Sequence, residues 1–199
     1  MSTRAVGEQA GRNVHNGPVS AYTLCEGLLD TVITPMRAVE VKTQDGRRIG
    51  HVVRGDVADC ERTGTFRFEP TSGPSTSMGI VGATARTILH RLLRPSYILL
   101  HERQRWTLHD LPGENLLYFA VAGTVQARRL VARLDWDDSV QITADGAEVG
   151  RVDPGDLLLD TRLRADDDLD PPLFGLIMLI PFIYRVYEQE AELIESLLD

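Results

Sequence analysis

Along most of the chain, apolar and polar positions alternate in short runs of strand length, and turn residues separate the runs. Ala38 to Thr43 and Arg48 to Val53 are rich in β-branched residues and flank Asp45-Gly46, a dipeptide that favours a tight hairpin. The same grammar predicts strands at Val32-Ile33, Thr65 to Phe68, Ser96 to Glu102, Trp106 to Leu111 and Leu116 to Val121. It continues through Thr124 to Arg129, Val131 to Trp136, Val140 to Thr143, Ala147 to Val152 and Leu157 to Arg164. Spacing this short leaves room for hairpins and little else, so the expectation is an antiparallel sheet of about ten to twelve strands.

Three stretches break the alternation. Glu69 to Ser77 is nearly all Pro, Gly, Ser and Thr and reads as a flexible loop. From Met78 to Leu93 the apolar residues Val81, Ala85, Ile88, Leu89 and Leu92 recur on one helical face, with Arg86, His90, Arg91 and Arg94 around the cylinder and Pro95 as a stop. Pro171 to Tyr184 is the most apolar stretch: no charge in fourteen residues, nine of them Leu, Ile, Phe or Met. Apolar on every side, that helix must be surrounded, and at 1.5 Å per residue it reaches ~21 Å, short of the ~30 Å of a bilayer core. A buried core helix is therefore predicted and no transmembrane span. Pro171 and Pro172 suit its first turn, Asp168 or Asp170 its cap, and Pro181 a kink or break near Ile177. Beyond it Ile183, Tyr187, Ala191, Ile194 and Leu198 form a stripe, with Glu188, Glu190, Glu192 and Glu195 facing away.

The two Asp-Gly hairpins repeat each other. Val39, Val41, Asp45, Gly46, Ile49, Gly50 and Val52 match Val140, Ile142, Asp145, Gly146, Val149, Gly150 and Val152, with one extra residue before the first Asp-Gly. The second-strand glycines, Gly50 and Gly150, mark a bulge or a close backbone approach. Two related β units followed by a wholly apolar helix resemble the tubby C-terminal-like superfamily, which includes the LURP-one-related proteins and the phospholipid scramblases. The resemblance covers about Gly27 to Tyr187. It implies a closed antiparallel β-barrel of about twelve strands enclosing the hydrophobic C-terminal helix, a mainly β fold with α. The phosphoinositide-binding members use Lys and Arg on the outer barrel wall, and no matching motif stands here.

At 199 residues and 43% hydrophobic content the chain suits a single domain. Residues 1–20 read as a polar, disordered arm and 21–199 as the domain, with an acidic helix extension at 188–199. The net charge of −8 disfavours nucleic acid as a partner. Charge is uneven: eight arginines against three acids give +5 between Arg86 and Arg133, leaving −13 elsewhere. Arg86, Arg91, Arg94, Arg103, Arg105, Arg128 and Arg129 are accordingly the candidate anion or lipid site, while a solvated face remains the plainer explanation. Cys25 and Cys60 form neither a metal set nor a disulfide framework, and no signal-peptide core opens the chain, so a cytoplasmic location is expected, with a peripheral membrane location as the variant.

His101-Glu102 and His109-Asp110 lie on neighbouring predicted strands but fall short of a metal set. Asp166 to Asp168 with Asp170 lack the calcium-loop pattern and read as a helix cap, with calcium as the lesser reading. Trp106, Trp136, Tyr118 and Phe119 are expected in the barrel core. No phosphate loop, nucleophile elbow or Cys-His pair is present, so neither enzyme activity nor a cofactor is expected. The function expected is a non-enzymatic tubby-like binding or scaffold protein, regulatory in character, with a protein partner docking on loops or on the helix around Glu188, Glu192 and Glu195. The alternative is anionic phospholipid binding, or scramblase-like action, through the arginine-rich face.

Overall fold

A computed structural model describes residues 18–25, 38–81, 95–111, 118–153 and 161–198. The strands are β1 (Val19–Cys25), β2 (Val39–Thr43), β3 (Arg48–Arg54), β4 (Cys60–Pro70), β5 (Thr76–Val81) and β6 (Ser96–His101). They continue with β7 (Gln104–Asp110), β8 (Ala120–Val125), β9 (Arg128–Leu134), β10 (Val140–Ala144), β11 (Ala147–Asp153) and β12 (Thr161–Asp166), and one helix, α1 (Pro171–Leu198), ends the chain. Each strand pairs antiparallel with its sequence neighbour, and β1 pairs with β12, so the sheet closes into a twelve-stranded barrel with no free edge.

Strict up-and-down order gives the barrel two unlike ends. The short reversals at 44–47, 71–75, 102–103, 126–127 and 145–146 share one end with the start of β1, where Val19 pairs with Asp166. The remaining strand ends, flanking 26–38, 55–59, 82–95, 111–119, 135–139 and 154–160, meet at the other. These are the turn end and the loop end.

Eight strands already fill a barrel with their own side chains, so twelve enclose more space than inward residues can occupy. The helix fills it. Leu173, Leu176, Ile177, Met178, Leu179, Ile180 and Ile183 are fully buried, among inward residues such as Val41, Val52, Leu99, Leu108, Leu130 and Leu163. α1 packs on β4, β5 and β6 along one side and on β11 and β12 along another. It begins at the turn end, where Phe174 meets Tyr22 at 5.4 Å and Phe68 at 6.0 Å, and leaves at the loop end, where Tyr184 and Tyr187 lie against Phe119 at 5.4 and 5.3 Å. The Asp170 carbonyl accepts the first helical bond from the Phe174 amide at 3.0 Å, which makes Asp170 the N-cap. α1 runs through Pro181 without a break, so of the two expected outcomes, a kink or a break, the second does not occur. One lost backbone bond costs about 3 kcal/mol, less than the burial of the side chains on either side of it.

Both repeated hairpins keep the same register. Val39 faces Val52 and Val41 faces Gly50, as Val140 faces Val152 and Ile142 faces Gly150, and each pair then shifts by a bulge toward the turn. The turns themselves differ: Asp145 and Gly146 both have positive φ, 52° and 84°, whereas in the longer first turn Gly46 does, at 83°, and Asp45 does not. Gly150 is needed for a second reason, since a Cβ there would lie 2.7 Å from Cδ1 of Ile177 on α1.

Several local expectations are corrected. Met78 to Val81 belong to β5 rather than to a helix. That strand is covered on both faces, outwardly by the segment around Cys60 and Thr65 and inwardly by α1, so it lacks the alternation of a half-buried strand. Residues 82–94 lie outside the described residues, as do 1–17, Val32-Ile33, Pro112-Gly113 and Leu157 to Asp160. Val19 and Ser20 are in β1 rather than in an arm. The flexible loop shrinks to 71–75, because Glu69 and Pro70 close β4 and Thr76 and Ser77 open β5. Thr124 to Arg129 is two strand ends around a turn at Gln126-Ala127. Phe119 is core and Trp106 packs against it, but Trp136 is 88% exposed in the β9–β10 turn and Tyr118 50% exposed.

Candidate functional site

The described candidate arginines all stand toward the turn end. Arg103 lies in the β6–β7 reversal and Arg105 just after it, and Arg128 and Arg129 follow the β8–β9 turn. Acids accompany them: Arg105 meets Asp59 at 3.3 Å, Arg128 meets Asp145 at 3.4 Å, and the Arg129 amide donates to Asp145 at 2.8 Å. Glu102 and Asp45 share that end, so the described arginines form no face of single sign. Arg86, Arg91 and Arg94 lie outside the described residues. The strand ends on either side of them, Val81 and Ser96, belong to the loop end.

The two histidine pairs do not meet. His109 is opposite Ser96 and His101 opposite Gln104, at the two ends of one hairpin. The buried His101 bonds Thr76 at 2.8 Å, and His109 bonds Ser96 at 3.0 Å. Asp166 is buried at the close of β12, the Asp167 amide donates to the Pro18 carbonyl at 3.1 Å, and Asp170 caps α1. Among the described residues no group of three or more His, Cys, Asp or Glu is placed to hold a metal ion. Cys25 and Cys60 are not joined by a disulfide, and burial pushes the Cys60 thiol up to about 11, which leaves it a poor nucleophile at neutral pH.

The loop end is where the helix leaves the barrel, and its geometry is the most distinctive on the surface. Phe119, just before β8, sits edge-on to both Tyr184 and Tyr187 and closes the mouth with aromatic rings. Arg185 Nη2 donates to the Thr161 hydroxyl at 3.0 Å, tying the helix to the start of β12. Tyr184 hydrogen-bonds Glu188 one turn on, and burial first, then that bond, raise the phenol well above its usual range. Glu188 is itself raised: partial desolvation where the exposed side chain leans on the mouth is the main cause, opposed by the Tyr184 bond and Arg185, with Glu192 and Asp138 adding repulsion. The mouth is therefore an aromatic collar with an acidic rim, from which α1 continues to Leu198. Glu188 and Glu192 are exposed on it, and the side chain of Glu195 lies outside the described residues.

Sequence reasoning found Glu188 and Glu192 but missed Phe119, Asp138 and Arg185, which come from three different elements. The Tyr184–Tyr187 spacing was the available signal, and it cannot tell which strand end supplies the partner ring. No helix among the described residues is long and apolar enough to cross a membrane. Comparison with protein-family models, with curated proteins and with solved structures returns no match for this chain.

Proposed function

We propose that this chain is a non-enzymatic, tubby-like binding or scaffold protein of the cytoplasm, and that its partner is a protein with a basic surface docking on the acidic end of α1. One observation carries the reading. The helix does not stop at the buried Tyr187, where its work inside the barrel is complete, but goes on to Leu198 with Glu188 and Glu192 facing solvent. An exposed helix joined rigidly to a packed core is pre-organised, so a partner meets little ordering cost on binding. Its like charges steer a basic surface and give an on-rate that falls with salt. The barrel, filled by its own helix, supports that surface.

The test is truncation after Tyr187 alongside the charge reversal Glu188→Lys with Glu192→Lys. Both variants lose the Tyr184–Glu188 hydrogen bond, worth about 1 kcal/mol, and should melt within a few degrees of the parent. Both should lose a partner that the full chain binds in a salt-sensitive way. Equal retention of that partner by the truncated chain would move the docking surface elsewhere.

A further inference from the structure

The turn end carries a feature that the docking surface does not use: a pocket of about 520 Å3 between β1, the β2–β3 turn, the β4–β5 loop and the first turns of α1. That volume lies within the range of small-molecule sites, roughly 300–1,000 Å3. Its apolar side is built from Tyr22 and Phe174, edge to face at 5.4 Å, with Ile49 and Pro70 beside them. Its polar side carries two opposite charges, the guanidinium of Arg47 and the carboxylate of Asp167. Neither forms an ion pair among the described residues. Arg48 also lines the pocket but is already shared with Glu40 at 3.3 Å, so Arg47 is the cation on offer. Both charges act on the Tyr22 phenol: burial raises it, a hydrogen bond from Ser20 opposes, Asp167 adds and Arg47 subtracts.

An unmatched cation and an unmatched anion beside one aromatic wall restrict the ligand. A phosphate dianion would meet one guanidinium and be repelled by Asp167. A plain carboxylate would leave Asp167 facing the ligand unmatched, and a plain amine would do the same to Arg47. We propose that this pocket binds a small zwitterion with an aromatic body, the chemistry of a free aromatic amino acid. Its carboxylate pairs with Arg47, its ammonium with Asp167, and its ring lies against Tyr22 and Phe174. Arg pairs with a carboxylate in a bidentate fork, which fixes orientation as well as adding affinity.

The experiment titrates the full chain with L-phenylalanine while following the Tyr22 and Phe174 ring resonances. A ligand of about a dozen heavy atoms at roughly 0.3 kcal/mol each binds in the millimolar range. Two analogues each lack one charge, N-acetylphenylalanine the cation and phenylalanine amide the anion, and both should bind about tenfold more weakly or not at all. Arg47→Met and Asp167→Asn should each weaken phenylalanine by a similar factor with an unchanged melting temperature. The proposal is overturned by the absence of a saturable shift up to about 50 mM, a concentration well above the expected dissociation constant. It is equally overturned if an analogue matches phenylalanine, or if both variants bind it as the parent does.

Discussion

Single residues in this barrel act through backbone conformation and through charge. The β8–β9 turn places Gln126 at φ 49° and Ala127 at φ 64°, the conformation a two-residue hairpin needs and one that neither side chain favours. Replacing the pair with Asn-Gly should stabilise the protein by about 1 kcal/mol, read as a higher denaturant midpoint at constant slope. The same residues explain why the turn was invisible in the sequence: with no Asp-Gly or Asn-Gly to mark it, Thr124 to Arg129 read as one strand-length stretch. Charge is concentrated around Arg151, which reaches Glu148 at 3.2 Å, Asp137 at 3.3 Å and Asp135 at 3.6 Å. Asp137 is held below its usual value by Ser139 and then by Arg151. Burial would raise Glu148, but hydrogen bonds from Arg151 and Gln141 outweigh it and leave it lowered. Depressed carboxylates contribute stability above their unfolded values of 3.8 and 4.5 and lose it as pH falls through the folded ones. Arg151→Met should therefore cost on the order of 1 kcal/mol near pH 7, and the deficit should shrink as the pH falls toward 3 in paired thermal melts.

At the scale of elements, what was legible depended on whether the element's own residues carried its signal. The Asp-Gly hairpins announced themselves, and the structure gives them one register and one bulge position. α1 was equally plain, because residues apolar on every face can only be enclosed. β5 was not, because its neighbours bury both of its faces, and that cover comes from Cys60 and Thr65, far from it in the local pattern. The candidate site divides in the same way: Glu188 and Glu192 follow from helical spacing, whereas Phe119 and Asp138 reach the mouth only through strand order. The helix–wall fit is close enough to test by one substitution. Gly150→Val on β11 would drive a side chain into Ile177, and with the barrel closed on all sides neither can withdraw. Overpacking of this kind costs about 1–3 kcal/mol, so a clear fall in melting temperature is expected, and partial recovery when Ile177→Ala is added.

The whole molecule has a direction. Short turns and the Tyr22–Phe174 pocket occupy one end, long connections and the helix exit the other, and a helix of 28 residues, about 42 Å, is longer than a wall built from strands of mostly five to seven residues. The excess emerges on the acidic side, so the proposed docking surface and the pocket are separate and can be perturbed independently. All of this depends on the helix being the barrel's core and not an appendage. Native-state hydrogen exchange on the full chain tests that most directly. Amides from Leu176 to Ile183 should exchange only through global unfolding, at the same free energy as the most protected strand amides, while those beyond Gln189 exchange far sooner. If the Leu176 to Ile183 amides exchange while the strands stay protected, the helix leaves the barrel without unfolding it, and the enclosed-core account is wrong.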